Sequence, residues 1–325
     1  MNILGRNSRE VRDRVGDPGQ IFRIDKFVSD DGPARGSRVI RLASGGALEV
    51  ELHPDRALDI GRVTYRGVPI AWLSPTGFGA PGLAEHLGDG WVRTWGGGLL
   101  STVGLDSFGP SGTDGTEEFG THGRIGAQPA TVTRCEITDS QLVVEAEVRQ
   151  ATAFADSLRL TRRVTVPIGE SRIIVDDTVV NDGPDPVEWM ILYHVNLGWP
   201  LLDSHTDIRI PSTDGSERLE FGEPIAEFQQ SVVQFVLPEG EDTVTVHNPK
   251  LDVALSLKYS VETLPWLNTW RVPQRQRYVM ALEPSNTPSV AGRLAARASG
   301  DIATLESGAG FTSAMLTGYV ALLAS

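Results

Sequence analysis

Three ionisable side chains occupy positions from which they could move protons. His122 follows a loop rich in glycine, aspartate and threonine, and His194 lies inside a very apolar run. Glu283 ends another apolar run, and the following Pro284 restricts it to an extended conformation. A histidine titrates near neutral pH, and burial shifts the pKa of a carboxylic acid. Together these residue types could supply a general acid and a general base.

Each of the three signals also has a purely structural explanation. A lone histidine in an apolar run is more often a hydrogen-bonded core residue than a catalytic group. His122 could bond its own loop, and Glu283 could pair with Arg271 or Arg275. Taken separately, none of the three identifies a function.

The elements that must position these residues are predicted to be β-strands. Apolar residues recur at every second position, as in the face formed by Leu158, Leu160, Arg162, Val164 and Val166. The chain also contains 35 glycines and 20 prolines, a density that favours frequent reversals. The pattern predicts an all-β protein, either a large antiparallel sandwich or a barrel.

Helices and boundaries are predicted to be few. Residues 8–15 and 80–87 could each form a turn or two of helix, too short to carry a core. Reversals are expected at residues 167–170 and 181–184. Because no linker or repeat is evident, we expect a peripheral N-terminal segment over residues 1–20 and one domain over residues 21–325.

Composition excludes several classes of protein. The net charge of −13 disfavours nucleic acid and anionic membrane surfaces as partners. The single cysteine, Cys135, excludes an intramolecular disulfide framework, and the histidine spacing gives no support for a metal site. Signal-peptide, transmembrane and nucleotide-loop patterns are not found, so a cytoplasmic protein is expected.

Taken together, the motifs resemble the aldose 1-epimerase (galactose mutarotase) superfamily, most closely a less-characterised bacterial branch. The matching segments are His122-Gly123, His194-Val195-Asn196-Leu197 and Glu283-Pro284, supported by residues 56–60, 95–100 and 283–286. The resemblance covers about residues 48–323 and implies a large antiparallel β-sandwich. The sequence departs from the family in lacking its basic stretch before the first histidine. It is also one residue shorter between His194 and Asn196.

The resemblance implies an isomerase that interconverts the anomers of a sugar by opening its ring, without a cofactor or metal. Glu283 would be the base and His194 the acid, on opposite sides of the sugar ring, and His122 would hydrogen-bond near the ring oxygen or a neighbouring hydroxyl. Sugar sites pair aromatic platforms with polar groups. The candidates for substrate binding are therefore Arg124, Asn196, Trp95, Trp270, Arg56 and Asp59.

Other functions remain open at this stage. One is a non-catalytic carbohydrate-binding protein on the same scaffold. Another is an epimerase for an acidic or phosphorylated sugar, for which Arg124, Arg271, Arg275 and Arg277 could supply cations. A metal-dependent isomerase is disfavoured by the histidine spacing. The expected partner is a small-molecule sugar rather than nucleic acid or membrane, and a homodimer is compatible with the sequence.

Overall fold

The computed structural model describes residues 3, 5–212, 217–240, 242–288 and 290–314. Its strands are β1 (Arg23–Val28), β2 (Arg38–Ala43), β3 (Leu48–His53), β4 (Asp59–Tyr65), β5 (Val68–Pro69), β6 (Leu100–Leu105), β7 (Gly112–Asp114), β8 (Glu117–Phe119), β9 (Thr131–Ile137), β10 (Gln141–Ala151), β11 (Ser157–Pro167), β12 (Ile174–Asn181), β13 (Val187–Gly198), β14 (Asp207–Ile210), β15 (Glu217–Glu220), β16 (Ser231–Phe235), β17 (Thr243–Asn248), β18 (Val253–Lys258), β19 (Trp266–Gln274), β20 (Arg277–Ser285), β21 (Ala303–Leu305) and β22 (Gly310–Ala314). The helices are α1 (Ser8–Arg12), α2 (Gly90–Thr94) and α3 (Arg293–Ser299), with 3₁₀ turns at Pro18–Gln20, Gly32–Ala34, Pro81–Leu83 and Ile125–Ala127.

The strands form four antiparallel sheets. The largest has eleven strands, in the path β1-β2-β3-β4-β6-β13-β20-β19-β16, with β5 and β21 paired at its sides. A second sheet has the order β22-β12-β11-β10-β9, and a third the order β15-β14-β17-β18. Strands β7 and β8 make a small hairpin. One apolar cluster joins the large sheet to the second and third sheets, so the architecture is a sandwich.

Alternation along β13 shows how the sequence divides its two faces. Ile191, Tyr193, Val195 and Leu197 point into the core between the sheets and are buried there. The intervening residues, His194 among them, point to the opposite face of the large sheet. The core therefore fixes the strand, and the strand in turn fixes which side chains line the other face.

Antiparallel hairpins build the second sheet. Strands β10 and β11 pair without interruption from Gln141 opposite Pro167 to Ala151 opposite Ser157. The reversal that follows at residues 167–170 places Gly169 at φ +80°, a conformation that costs glycine little. This turn and the all-β class agree with the sequence-based predictions.

The predicted helices are shorter than expected. Residues 8–12 form α1, and within residues 80–87 the structure has the 3₁₀ turn Pro81–Leu83. Ile3, in the N-terminal segment, is 1% exposed and packs on the main core. The division into an N-terminal segment, residues 1–20, and one domain, residues 21–325, stays a prediction. The end of that domain, residues 315–325, lies outside the described residues. No helix in the described part of the chain is long and apolar enough to cross a membrane.

Candidate active site

The register of two central strands brings His194 and Glu283 together. In the pairing of β13 with β20, Val195 lies opposite Leu282, so His194 and Glu283 are cross-strand neighbours. Both side chains point away from the core because their neighbours along the strands point into it. The imidazole Nε2 is 3.1 Å from Glu283 Oε1, and both residues are buried.

Burial determines where the proton of this pair resides. It raises the pKa of Glu283 to about 8 and lowers the pKa of His194 to about 3, the latter with a contribution from nearby His122. Near neutral pH the pair therefore holds one proton between a carboxylic acid and a neutral imidazole. The Glu283 hydroxyl donates it towards His194 Nε2. Such a pair titrates as a unit.

Asn196 fixes the orientation of the His194 ring. Its amide nitrogen donates to the carbonyls of Gly98 and His194, both at 2.9 Å, so its Oδ1 must face the imidazole. That oxygen is 2.5 Å from His194 Nδ1 and can only accept, so Nδ1 carries the hydrogen and Nε2 faces Glu283. Asn196 is therefore a positioning residue, and the expectation that it binds substrate is corrected.

His122 reaches the same place from a loop. Its amide donates to Gly109 O, and its carbonyl accepts from Gly104 N, both at 3.0 Å. The Nδ1 atom accepts from the Gly109 amide at 3.3 Å, which leaves Nε2–H free to donate. The ring centroid lies 5.8 Å from that of His194, and burial lowers the His122 pKa to about 4.

Gly123 allows His122 to approach so closely. A Cβ atom there would lie 2.3 Å from Asp106 Oδ1 and 2.5 Å from Ser107 O, and its φ is +68°. His122 itself has a φ of +61°, an uncommon value for a residue with a side chain. The His122-Gly123 motif therefore needs glycine at its second position for the backbone conformation, in addition to the imidazole at its first.

Three tryptophans wall the pair. Trp95 and Trp270, both expected from the sequence, lie with ring centroids 5.0 Å and 5.7 Å from His194. Trp91 stacks on Trp95 at 4.4 Å and meets the edge of His122 at 4.4 Å. Trp91 was not predicted from the sequence. Its spacing of four residues from Trp95 is the available signal, because a helical turn such as α2 places residues four apart on the same face.

These residues line one cleft of about 800 Å³. Its floor is the face of the large sheet that carries His194, Glu283 and Trp270. Of the four arginines offered for an anionic substrate, Arg277 is the one that lines this cleft. Within the described residues, no three potential metal ligands are grouped together.

Arg124 does not reach the cleft. Its Nε donates to Asp106 at 2.9 Å and its Nη2 to Thr152 at 3.0 Å, in a neighbouring groove. The two consecutive positive φ angles of His122 and Gly123 turn the chain, so residue 124 faces away from residue 122. The structure corrects this expected substrate contact to a loop salt bridge.

Arg56 and Asp59 also lie outside the cleft that contains His194 and Glu283. Arg56 donates to Gly79 O at 2.8 Å. Asp59 accepts from Thr102 Oγ1 at 2.6 Å and from Arg162 Nη1 at 2.9 Å, on the core side of the sheet. Both residues border a small cavity of about 30 Å³ behind Trp91 and Trp95. Their expected role in substrate binding is therefore corrected.

The fold is shared with several solved structures. The chain superposes on a Klebsiella pneumoniae protein with a provisional aldose 1-epimerase assignment, with a TM-score of 0.82 and 22% sequence identity. The superposition covers 91% of this chain and 84% of that chain. A galactose mutarotase-like protein from Clostridium acetobutylicum gives a TM-score of 0.64 at 14% identity, with 90% and 97% covered. Galactose 1-epimerase from Lactobacillus acidophilus gives a TM-score of 0.58 at 13% sequence identity. That match covers 90% of this chain and 97% of the epimerase chain.

These likenesses show that the chain has the galactose mutarotase-like β-sandwich fold, as the sequence motifs predicted. Residues 34–316 match the model of DUF4432, a domain of unknown function, and the chain belongs to that family. A comparison with the curated proteins gives no match. At identities this low the solved structures establish the fold, and the chemistry rests on the site itself.

Proposed function

We propose that this protein interconverts the anomers of a free aldose or aldose derivative by acid–base opening of the sugar ring. The observation that carries the proposal is the buried Glu283–His194 pair, 3.1 Å apart, at the floor of a tryptophan-walled cleft. A pair that shares one proton supplies one acid and one base at the same time. Ring opening needs both, one at the anomeric hydroxyl and one at the ring oxygen.

The short distance between Glu283 and His194 determines how the sugar is oriented in the proposed reaction. The family resemblance implies an acid and a base on opposite sides of the ring, but the 3.1 Å between His194 Nε2 and Glu283 Oε1 leaves no room for a ring between them. The anomeric hydroxyl and the ring oxygen are attached to the same carbon, so two adjacent groups can address both from one edge. Glu283 takes the hydroxyl proton, and His194 Nε2–H protonates the ring oxygen.

Substrate binding itself can prepare the pair. An anomeric hydroxyl that donates to Glu283 stabilises the carboxylate and shifts the shared proton to His194. After ring opening, rotation about the bond to the carbonyl carbon presents its other face, and the reverse transfers close the ring. His122 Nε2–H donates to a neighbouring sugar oxygen, and the tryptophan faces cover the apolar C–H surfaces.

Anomer exchange measured by NMR across a panel of free, acidic and phosphorylated aldoses tests the proposal. We expect at least one aldose to exchange well above its spontaneous rate. Calorimetry on the same panel detects binding without exchange. That outcome would favour the non-catalytic carbohydrate-binding protein and overturn the proposed activity.

The pH dependence follows from the shared proton. Because the pKa of Glu283 is raised to about 8, the pair loses the proton shared between Glu283 and His194 Nε2 above that pH and can no longer supply an acid to the sugar. We expect kcat/KM for anomer exchange to be level from about pH 6 to 7.5. It should then fall roughly tenfold per pH unit above about 8.

The measurement is a rate profile corrected for the spontaneous reaction, which hydroxide accelerates. A rise in kcat/KM through pH 8 would contradict the shared-proton mechanism. Such a rise would mean that an ionised Glu283 suffices and that the acid comes from elsewhere.

A further inference from the structure

The cleft is larger than one sugar ring requires. Its volume of about 800 Å³ is several times that of a pyranose. It falls within the ~300–1,000 Å³ range of pockets that enclose drug-sized ligands. The question is what lies beside the sugar when its anomeric carbon meets Glu283 and His194.

The additional space extends along β19 and β20 in one direction. Trp270 lies opposite Ala281, and Val272 lies opposite Val279, at successive steps away from Glu283. Arg277 follows on the same face as Glu283. We call this surface the trough and define it by Trp270, Val272, Val232, Phe228 and Arg277, all of which line the cleft.

The lining of the trough is apolar although it is open to solvent. Phe228 is 57% exposed and Val232 48% exposed. The polar residue beside them, Gln230, already accepts a hydrogen bond from the Trp270 indole at 3.3 Å. A second sugar unit here would gain few hydrogen bonds from the protein in exchange for those it makes with water. Contiguous exposed apolar surface instead suits a hydrocarbon group.

Arg277 gives the far end of the trough a positive charge. Its guanidinium donates a hydrogen bond to the neutral amide oxygen of Gln274 at 3.2 Å, a contact that leaves its charge uncompensated. Six residues separate it from Glu283, about 20 Å along the strand at roughly 3.3 Å per residue. A carboxylate attached directly to the ring of a sugar that contacts Glu283 would fall short of Arg277 over this distance, whereas an anion at the end of a longer substituent would reach it.

We propose that the substrate is an aldose extended, at a position other than its anomeric carbon, by an apolar group that ends in an anion. The sugar meets the Glu283–His194 pair, the apolar group lies on Trp270, Val272 and Val232, and the anion meets Arg277. This inference rests on the proposed function for the reaction at the anomeric carbon. It predicts that simple sugar phosphates and uronic acids bind less tightly than such an extended aldose.

Three probes with a free anomeric carbon test the proposal. They are glucose, 6-O-octanoyl glucose and the 6-O-half-ester of glucose with suberic acid, which has the same chain length and a terminal carboxylate. A matching galactose set is run in parallel. Calorimetry gives the dissociation constants, and NMR gives the anomer exchange rates. We expect the half-ester to bind at least about tenfold more tightly than the parent sugar, with the octanoyl ester in between.

Variants assign this gain to the trough. Arg277→Gln should reduce the affinity ratio of half-ester to octanoyl ester to near one, whereas Val232→Ser should reduce the advantage of both esters over the parent sugar. Val233→Ser is the matched control, because Val233 is 39% exposed and adjacent in β16 but points to the other face. All three residues are partly or largely exposed, and thermal unfolding checks that each variant is folded.

The outcomes separate this inference from the proposed function. Esters that bind no more tightly than the parent sugars, or an Arg277→Gln effect equal on all probes, would overturn the inference. If free sugars exchange rapidly and the esters gain nothing, the inference fails alone. If the half-ester binds tightly and no probe exchanges, the ligand class stands and the proposed activity fails.

Discussion

Glu283→Gln should lower the rate of anomer exchange by about two to four orders of magnitude, because an amide cannot carry the shared proton. The substitution keeps the shape of the side chain and can still contact His194. Sugar binding should therefore weaken by less than about tenfold, as expected for the change of one hydrogen bond. Rates are measured by NMR exchange and binding by calorimetry on the same preparations.

Two further variants sharpen the interpretation. Glu306→Gln makes the same chemical change at an exposed position and should leave exchange unchanged. His194→Asn should act like Glu283→Gln, and the double variant should cost less than the sum, because both residues serve one transfer event. If Glu283→Gln abolished binding and exchange to the same degree, Glu283 would be a recognition group rather than a proton carrier.

Strand alternation made much of this site predictable. The apolar residues around His194 and Glu283 identified both as strand residues. Both stood out as isolated ionisable residues within apolar runs. The sequence could not give the register that sets them side by side, because strand pairing joins residues far apart in the chain. For that reason the expected arrangement across a sugar ring was wrong, although the residues were the same.

The other errors come from contacts between residues far apart in the chain, which the sequence does not show. Arg124 was assigned by its proximity to His122, but two positive φ angles turn it towards Asp106. Asn196 shares a strand face with His194, yet the Gly98 carbonyl that fixes its amide comes from a distant segment. Asp59 was weighed as a cleft residue, although its partner Arg162 belongs to the opposite sheet. In each case a long-range contact decided the role.

The ion pair between Asp59 and Arg162 belongs to a buried network beneath the candidate site. Arg162 is fully buried on β11 and bonds both carboxylate oxygens of Asp177, at 2.9 Å and 2.6 Å. It also bonds Asp59 and Thr102 of the large sheet, at 2.9 Å and 2.7 Å. Tyr193, next to His194, donates to Asp177 at 2.8 Å. The network ties the second sheet to the strands that carry the site.

Replacing Arg162 should therefore be costly. Arg162→Met leaves two carboxylates in the core without their cation, which typically lowers the free energy of unfolding by about 3–5 kcal/mol. Arg163→Met is the matched control on the same strand. Arg163 is 41% exposed at its side chain and pairs with Glu145 at the surface, so its loss should cost about 1 kcal/mol or less. Urea unfolding of both variants at pH 8 measures the difference.

The deficit of Arg162→Met should also depend on pH, with a definite sign. Burial already raises the pKa of Asp59 to about 6 with the arginine present, and removing the cation raises it further. A carboxyl whose pKa is higher in the folded protein destabilises it as pH rises from the unfolded value, near 4, towards the folded value. The variant should consequently be less impaired at pH 5 than at pH 8, with Arg162→Lys, which keeps the charge, intermediate at pH 8. An equal deficit at both pH values would show that lost packing, rather than uncompensated charge, accounts for the effect.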